Sequence, residues 1–154
     1  MTLMFAICFG HQLMAYFFGG KVERDETQAE GGIISIELLP KGTKTLIFKN
    51  IPKKFSAVSG HKDSVVRLPK KAKLLARSQK TKFQSYKIKN NIYCVQFHPE
   101  LDTDGLVYRM SLFPEYARGR SLEEIKKEFV DMPYAVKTLE NFKDLVYNKA
   151  QMDS

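Results

Sequence analysis

The chain opens with a short apolar run that passes directly into a helical pattern. Residues 2–7 are almost continuously apolar, which favours a strand buried on both faces, as in a parallel sheet. From Gly10 onward apolar residues recur at helical spacing, and Gly19-Gly20 would end that helix because glycine readily adopts the left-handed conformation. The sequence therefore predicts a strand, a tight turn and a helix at its beginning.

Further segments have the character of strands, and Pro, Gly and Asn residues separate several of them. The predicted strands are residues 32–39, 45–49, 55–59, 73–77, 82–89 and 92–97. The last two flank Asn90-Asn91, which predicts a β-hairpin.

After Glu100 the pattern becomes helical. Residues 104–112 predict one helix, and a capping box at residues 121–124 opens a second, with Phe129 on its apolar face. A last helix follows Pro133, with an apolar stripe at Val136, Leu139, Phe142 and Val146. Strands followed by helices, without repeats or a disordered linker, predict an α/β protein with a single domain over residues 1–154.

The composition is that of a globular protein, but the charge is unevenly distributed. Apolar residues make up 44% and charged residues 27% of the chain, and the net charge is +8. Between Lys41 and Asn90 there are 15 lysines and arginines against one acid, Asp63, so this block carries +14. A solvated lysine-rich surface is the preferred interpretation, because no nucleic-acid-binding motif accompanies the charge; binding to a polyanion or an acidic partner is the alternative.

The two cysteines, the three histidines and the apolar N-terminus bear on location, membrane attachment and metal binding. Cys8 and Cys94 are far apart and predict no disulfide framework, so a reducing cytoplasm is the expected location. The apolar N-terminus lacks a basic region and is too short for a bilayer span, which argues against a signal peptide and a membrane anchor. The histidines are scattered, and we expect no metal ion and no cofactor.

Cys8 lies where the predicted strand turns into the helix, a position that suits a nucleophile. A tight strand–turn–helix places the middle side chain above the carboxyl end of the strand, and the small residues Ala6 and Gly10 permit such a bend. The amide of Phe9 would point at a developing oxyanion, and the helix N-terminus would favour the thiolate. The pattern Cys-x-Gly alone is weak, because a buried structural cysteine is the more frequent case.

A thiol nucleophile needs a base, and His98 is the best-placed histidine. It follows the apolar strand at residues 92–97, so it can meet Cys8 over the same edge of a sheet. Glu100, two residues further on, can turn back toward the imidazole and orient it. His11 should point away from Cys8, since it lies within the helix that follows the turn.

Three stretches together resemble the class I glutamine amidotransferases. AICFGHQL closely resembles the nucleophile elbow of that family, and YCVQFHPE resembles its His-Pro-Glu block. Between them, SGHKDSVVRLP followed by LLARS resembles the family segment that contains S-H-x-D, a downstream L-P and a strand ending in Ser. The stretches occur in the family order, with 90 residues separating Cys8 from His98. Within the family, these stretches resemble the stand-alone amidotransferases similar to the glutaminase part of GMP synthase.

This resemblance implies a fold, a reaction and the roles of particular residues. The family fold is an open, flavodoxin-like α/β sheet, here with a small antiparallel portion. Cys8 would be the nucleophile, His98 the general base and Glu100 its orienter. Gln12 would contact the substrate, and the Phe9 amide would bind the oxyanion. The family reaction hydrolyses the side-chain amide of L-glutamine through a thioester, and the ammonia usually passes to a synthetase partner.

His61 matches the family histidine that lies beside the site, where the surrounding backbone helps to hold the substrate. Here Gly60 precedes it in place of the family serine, and Lys62 follows. His61 is therefore a candidate substrate-binding residue. A structural role, in which His61 and Asp63 pin a loop by hydrogen bonds, is the preferred interpretation.

The resemblance covers the whole chain but only the second part of the family domain. Typical members carry an upstream βαβ segment with a glycine-rich loop that supplies a second oxyanion amide. The expectation is therefore an N-terminally truncated domain whose first strand is an exposed edge, prone to self-association. The alternative to a glutaminase is a catalytically inactive remnant that acts as a partner-binding module.

Overall fold

A mixed sheet with helices on both faces organises the chain, and the computed structural model describes residues 2–117, 119–128 and 132–152. The described strands are β1 (Met4–Ile7), β2 (Lys21–Arg24), β3 (Glu30–Leu38), β4 (Lys54–His61), β5 (Asp63–Arg67), β6 (Lys73–Arg77), β7 (Ser85–Ile88) and β8 (Ile92–Val95). The described helices are α1 (Phe9–Phe17), α2 (Thr103–Leu112), α3 (Leu122–Glu128) and α4 (Pro133–Met152), with short 3-10 turns at Leu46–Phe48 and Pro114–Ala117.

The described strands form a sheet of six and a separate ribbon of two. The sheet has the order β1-β8-β7-β6-β3-β4, and β2 pairs with β5. β1 and β8 are parallel, whereas the other neighbouring pairs in the described sheet are antiparallel. The mixed α/β fold class is confirmed, and the antiparallel part, formed by β3, β4, β6, β7 and β8, is larger than the small one expected.

Alternation along β1 and β8 divides the core into two layers, one on each face of the sheet. Phe5 and Tyr93 face the layer that contains α4, where the ring centroids of Phe5 and Phe142 lie 5.2 Å apart. Ala6 and Cys94 face the opposite layer, which α1 covers. Every residue of β8 is buried, because both of its faces are covered.

The predicted hairpin is present. β7 and β8 pair antiparallel, from Ser85 opposite Val95 to Ile88 opposite Ile92. Lys89 adopts a left-handed φ of 52° in the connecting loop, which allows the chain to reverse within a few residues.

The capping box predicted at residues 121–124 is present, and a second side chain caps α2. The Ser121 N–H donates to Glu124 Oε2 at 2.7 Å and the Glu124 N–H donates to Ser121 Oγ at 3.2 Å, the reciprocal pattern of a capping box. The Asp102 side chain caps α2 by accepting from the Gly105 N–H at 2.8 Å. Phe129, predicted on the apolar face of α3, lies outside the described residues.

The strand predicted at residues 45–49 is wrong. This segment forms a 3-10 turn, because the Phe48 N–H donates to the Thr45 carbonyl and the Thr45 hydroxyl donates to the Lys41 carbonyl. β2 and β5 have no counterpart among the predicted strands, since polar residues occupy most of their positions and leave little apolar alternation.

The predicted apolar stripe of α4 is only partly buried. Val136 and Val146 are exposed, whereas Asn141 is buried. Asn141 faces inward because its Nδ2 donates to the main-chain carbonyls of Ile47 at 3.0 Å and Lys49 at 2.9 Å. A polar contact therefore sets the rotation of this helix.

Among the described residues β1 is one of the two edge strands of the sheet and pairs with β8 alone. The neighbouring face of α1 is apolar and open, and Phe9, Tyr16 and Phe17 expose 72%, 72% and 74% of their surface. The edge position agrees with the prediction for the first strand, while self-association through it stays a prediction. No described helix combines the length and the apolar character that crossing a membrane requires.

Candidate active site

Cys8 forms the sharp corner between β1 and α1. Its φ of 48° and ψ of −103° lie in a region that residues with a Cβ rarely adopt. Ile7 lies in register with Val95, and the Cys8 N–H extends the parallel pairing by donating to the Val95 carbonyl at 2.9 Å. The half-buried thiol therefore stands at the carboxyl end of these two strands.

His98 reaches the same edge from the neighbouring strand. It lies just beyond the end of β8, and its N–H donates to the Val58 carbonyl of β4 at 2.8 Å. Its Nδ1 donates to Glu100 Oε1 at 2.6 Å, which fixes the orientation of the ring. Its Nε2 is buried without a hydrogen-bond partner among the described residues.

Cys8 and Glu100 both act on the His98 imidazole. Burial by itself would lower the pKa of His98, but the Cys8 thiol and the Glu100 carboxylate outweigh it and raise this pKa to about 9. Burial would raise the pKa of Glu100, but His98 and the nearby Arg109 guanidinium lower it overall. The His98 imidazole is therefore held between a carboxylate and a sulfur, an arrangement that suits an orienting group, a base and a nucleophile.

Phe9 and Gln12 lie on the first turn of α1, beside the corner. The Phe9 N–H begins the helix, so it has no partner within the helix and is available to an anion. Gln12 is buried, and its Nε2 donates to the Asp63 carbonyl at 2.7 Å and to Gln96 Oε1 at 3.1 Å. Gln12 therefore links α1 to β5 and to the segment that follows β8.

Two side chains at the site are missing from the sequence prediction. Gln96 is fully buried, and its Nε2 lies 3.6 Å from Cys8 Sγ. The available signal is a single amide within the apolar run that precedes His98. On α2, Arg109 Nη1 lies 3.4 Å from His98 Nδ1, and no local pattern marks this residue.

His61 is buried and has polar neighbours at both ring nitrogens. Its Nδ1 lies 2.9 Å from the Asp63 carbonyl, and its Nε2 lies 3.6 Å from Glu30 Oε2. These contacts join β3, β4 and β5, as the structural interpretation expects, although Asp63 contributes its main chain. The adjacent Gly60 carbonyl lies 3.9 Å from Cys8 Sγ, and a substrate contact by His61 stays a prediction.

His11 and Cys94 belong to the core behind the site. His11 is fully buried, its Nε2 lies 2.8 Å from the Phe83 carbonyl, and burial lowers its pKa to about 3. Cys94 is buried within β8, and burial raises its pKa to about 12, so this thiol is expected to be inert. Within the described part of the chain, no group of three His, Cys, Asp or Glu side chains could hold a metal ion.

The fold and the site define a class: an α/β protein whose site is built around a thiol and an imidazole from two adjacent parallel strands. Residues 2–105 match the family model described as "Glutamine amidotransferase class-I". The chain belongs to the class I glutamine amidotransferase family, and the matched segment includes Cys8, His98 and Glu100.

Three known proteins illustrate the similarity. Over 96 residues the chain is 46% identical to one subunit of the glutamine-hydrolyzing GMP synthase of Pyrococcus furiosus, a match that covers 62% of this chain and 49% of the relative. It is 37% identical over 102 residues to gamma-glutamyl peptidase 4 of Arabidopsis thaliana, a match that covers 65% and 41%. The crystal structure of a glutamine amidotransferase from Thermotoga maritima superposes with a TM-score of 0.72 at 20% identity, over 91% of this chain and 60% of that one.

The sequence relatives and the solved structure support different conclusions. The chain spans about half the length of the curated relatives it matches. The likeness to the Thermotoga maritima structure, at 20% identity, establishes the fold alone.

Proposed function

We propose that the chain is part of a glutaminase, which hydrolyses the side-chain amide of L-glutamine to glutamate and ammonia. The observation that carries this proposal is the parallel pairing of β1 and β8, which brings Cys8 and His98 to one edge of the sheet. Glu100, 2.6 Å from the imidazole, completes the set. Family membership and the similarity to a protein named as glutamine-hydrolyzing support the choice of substrate.

In the proposed reaction the corner at Cys8 acts as a nucleophile elbow. The thiolate sulfur attacks the amide carbon of the glutamine side chain, and the carbonyl oxygen becomes an oxyanion that the Phe9 N–H stabilises. His98 gives the proton on Nε2 to the amide nitrogen. The C–N bond then breaks, ammonia leaves, and a thioester remains on Cys8.

The second half of the proposed reaction regenerates the thiolate. Neutral His98 takes a proton from a water molecule, whose oxygen attacks the thioester carbon. The C–S bond breaks, Cys8 leaves as a thiolate beside the imidazolium, and the product acid ionises to glutamate. Glu100 keeps Nδ1 of His98 protonated and the ring oriented throughout, as the third member of a Cys-His-Glu triad.

Two features favour an active site over an inactive partner-binding remnant. The backbone strain at Cys8 costs about 1–3 kcal/mol, and strain of this size persists where the surrounding structure enforces it. The His98 imidazole is likewise buried, although burial by itself disfavours its charged form. Both are explained if the sulfur and Nε2 exchange a proton with a substrate, whereas docking alone requires neither.

We further propose a synthetase partner that accepts the ammonia. The relative from Pyrococcus furiosus is named as one subunit of GMP synthase, which supports an acceptor on a separate chain. Two free cysteines support a reducing cytoplasm as the location. The chain spans about half the length of this relative, so the proposal for residues 1–154 rests on the matched segment.

Covalent labelling with a glutamine analogue tests the proposal. We expect the chain, incubated with 6-diazo-5-oxo-L-norleucine, to gain the mass of a single adduct, which peptide mapping places on Cys8. Cys8→Ala should remove the adduct, and Cys94→Ala, which changes the buried thiol of β8, should leave it. A folded parent chain that gains no adduct on Cys8 contradicts the proposal.

A further inference from the structure

We infer that Gln96 is a further catalytic residue of this site: its side-chain amide donates a hydrogen bond to the sulfur of Cys8 and is held in that orientation by Gln12. The inference rests on the proposed function, because it takes Cys8 as the nucleophile. It adds to His98 and Glu100 a donor that acts directly on the sulfur.

The position of Gln96 is fixed by the sheet. Gln96 directly follows β8, and its N–H donates to the Gln84 carbonyl at 2.8 Å. Its side chain is fully buried, with Nε2 3.6 Å from Cys8 Sγ, a separation suited to a hydrogen bond to sulfur. A buried amide needs partners, and among the described residues the sulfur of Cys8 is the hydrogen-bond acceptor for its NH₂ group.

The orientation of the Gln96 amide is set by the Asp63 carbonyl, through the side chain of Gln12. The Asp63 carbonyl can only accept, so the Gln12 atom 2.7 Å from it is the donor Nε2. The same Nε2 lies 3.1 Å from Gln96, so the facing Gln96 atom is the acceptor Oε1. The NH₂ group of Gln96 is thereby directed at Cys8, and Gln12 acts as a positioning residue, in addition to the substrate contact predicted for it.

The chemical effect is on the balance between thiol and thiolate. A hydrogen bond to an ionised acceptor is stronger than one to a neutral acceptor, so the Gln96 donor stabilises the thiolate more than the thiol. The amide neither gains nor loses a proton at ordinary pH, and its contribution therefore persists through the cycle in which His98 gains and loses its proton.

The titratable groups around the sulfur are few among the described residues. His98 faces it from the segment after β8, with Glu100 and then Arg109 behind the imidazole. On α1, His11 is neutral, because burial lowers its pKa to about 3. On β4, His61 is directed toward Glu30 of β3.

The pH profile of Cys8 alkylation by iodoacetamide tests the inference in the whole chain. Gln96→Met keeps the length of the side chain and removes the donor, and the midpoint of the rate profile should move up by about one pH unit. Gln96→Glu keeps the shape but replaces the donor with a charge of the same sign as the thiolate, so the shift should be larger. Gln12→Met should give a smaller upward shift, because the Gln96 amide loses the partner that orients it.

A matched control separates this effect from a general loss of stability. Asn141→Leu removes another buried amide with two hydrogen bonds, on α4, and should leave the alkylation profile unchanged. If folded Gln96→Met alkylates with the profile of the parent, the inference is overturned. Should neither Gln96 variant fold, an unchanged alkylation profile in Gln12→Met overturns the inference instead. The alkylation assay contains no glutamine or glutamine analogue. An unchanged profile therefore contradicts the role of Gln96 alone, whereas the absence of diazo labelling contradicts the proposed function.

Discussion

Ile7 of β1 lies directly opposite Val95 of β8, in the one parallel strand pair that the described residues form. This register fixes the position of the candidate active site. Cys8 directly follows Ile7, and His98 lies three residues after Val95. β8, the second strand of the β7–β8 hairpin, runs parallel to β1, so both strands end at one edge of the sheet. A register shift of one residue would exchange the faces of β8 and separate Gln96 from the sulfur.

Glu100→Gln should lower the pKa of His98 from about 9 toward its ordinary value of 6.5, because one of the two groups that raise it is removed. The pKa is raised in the folded chain, so its contribution to stability is full below pH 6.5 and is lost as the pH rises through 9. The variant should therefore lose more stability at mildly acidic than at alkaline pH. NMR titration of the ring proton and urea unfolding at both pH values measure these changes.

The control for Glu100→Gln is Glu140→Gln, which removes an exposed carboxylate paired with Lys137 on α4. It should leave the His98 titration unchanged. An unaltered His98 midpoint in Glu100→Gln would show that the 2.6 Å contact does not govern the imidazole.

Glu30→Gln should destabilise the fold by about 1–3 kcal/mol at neutral pH, because a buried acceptor of several hydrogen bonds is replaced by a group that is partly a donor. Burial would raise the pKa of Glu30, but hydrogen bonds from His61, Ser78 and Thr81 lower it overall. The contribution of the Glu30 carboxylate to stability is thus present above its ordinary pKa of 4.5 and is lost as the pH falls below that value. Urea unfolding should show parent and variant converging in acid, with exposed Glu26→Gln as the control.

Much of the site follows from local sequence, because its chemistry lies at strand ends. A continuous apolar run places β1, a polar residue directly after it marks the corner, and the same logic places His98 after β8. Gln96 stands out locally as well, as an amide in an apolar run. The contact between Gln96 and Cys8 cannot be read from the sequence, because it depends on the register of two strands far apart in the chain.

The elements that sequence reasoning misplaces are those fixed by polar contacts. Residues 45–49 have the apolar content of a strand, but threonine hydroxyls and main-chain bonds close them into a turn. The rotation of α4 is set by Asn141, whose role depends on carbonyls that precede it by more than ninety residues. Apolar periodicity carries no information about such long-range hydrogen bonds.

Asn141→Leu should cost about 2–4 kcal/mol of unfolding free energy, because the buried carbonyl of Ile47 and the partly buried carbonyl of Lys49 lose their donor together. Asn148→Leu, an exposed position on the same helix, should change stability by less than about 0.5 kcal/mol. Urea unfolding followed by circular dichroism gives both values. Equal costs at the two positions would show that Asn141 does not anchor α4.

Cys8→Gly and Cys8→Ala should both abolish labelling by the diazo analogue, yet differ in stability. Alanine keeps the strained φ of 48°, whereas glycine adopts such angles freely. Relief of about 1–3 kcal/mol of strain exceeds the added entropy cost of glycine, about 0.5–1 kcal/mol, so Cys8→Gly should be the more stable variant by about 1 kcal/mol.

The matched control for this pair is Ala6→Gly in the regular part of β1, where no strain is relieved and glycine should destabilise. Urea unfolding of the three variants measures the order. If Cys8→Gly is less stable than Cys8→Ala, the corner is not strained. If the expected order is found, the parent chain keeps a costly conformation at Cys8 that glycine would remove, and placing a thiol at the sheet edge is the reason for keeping it.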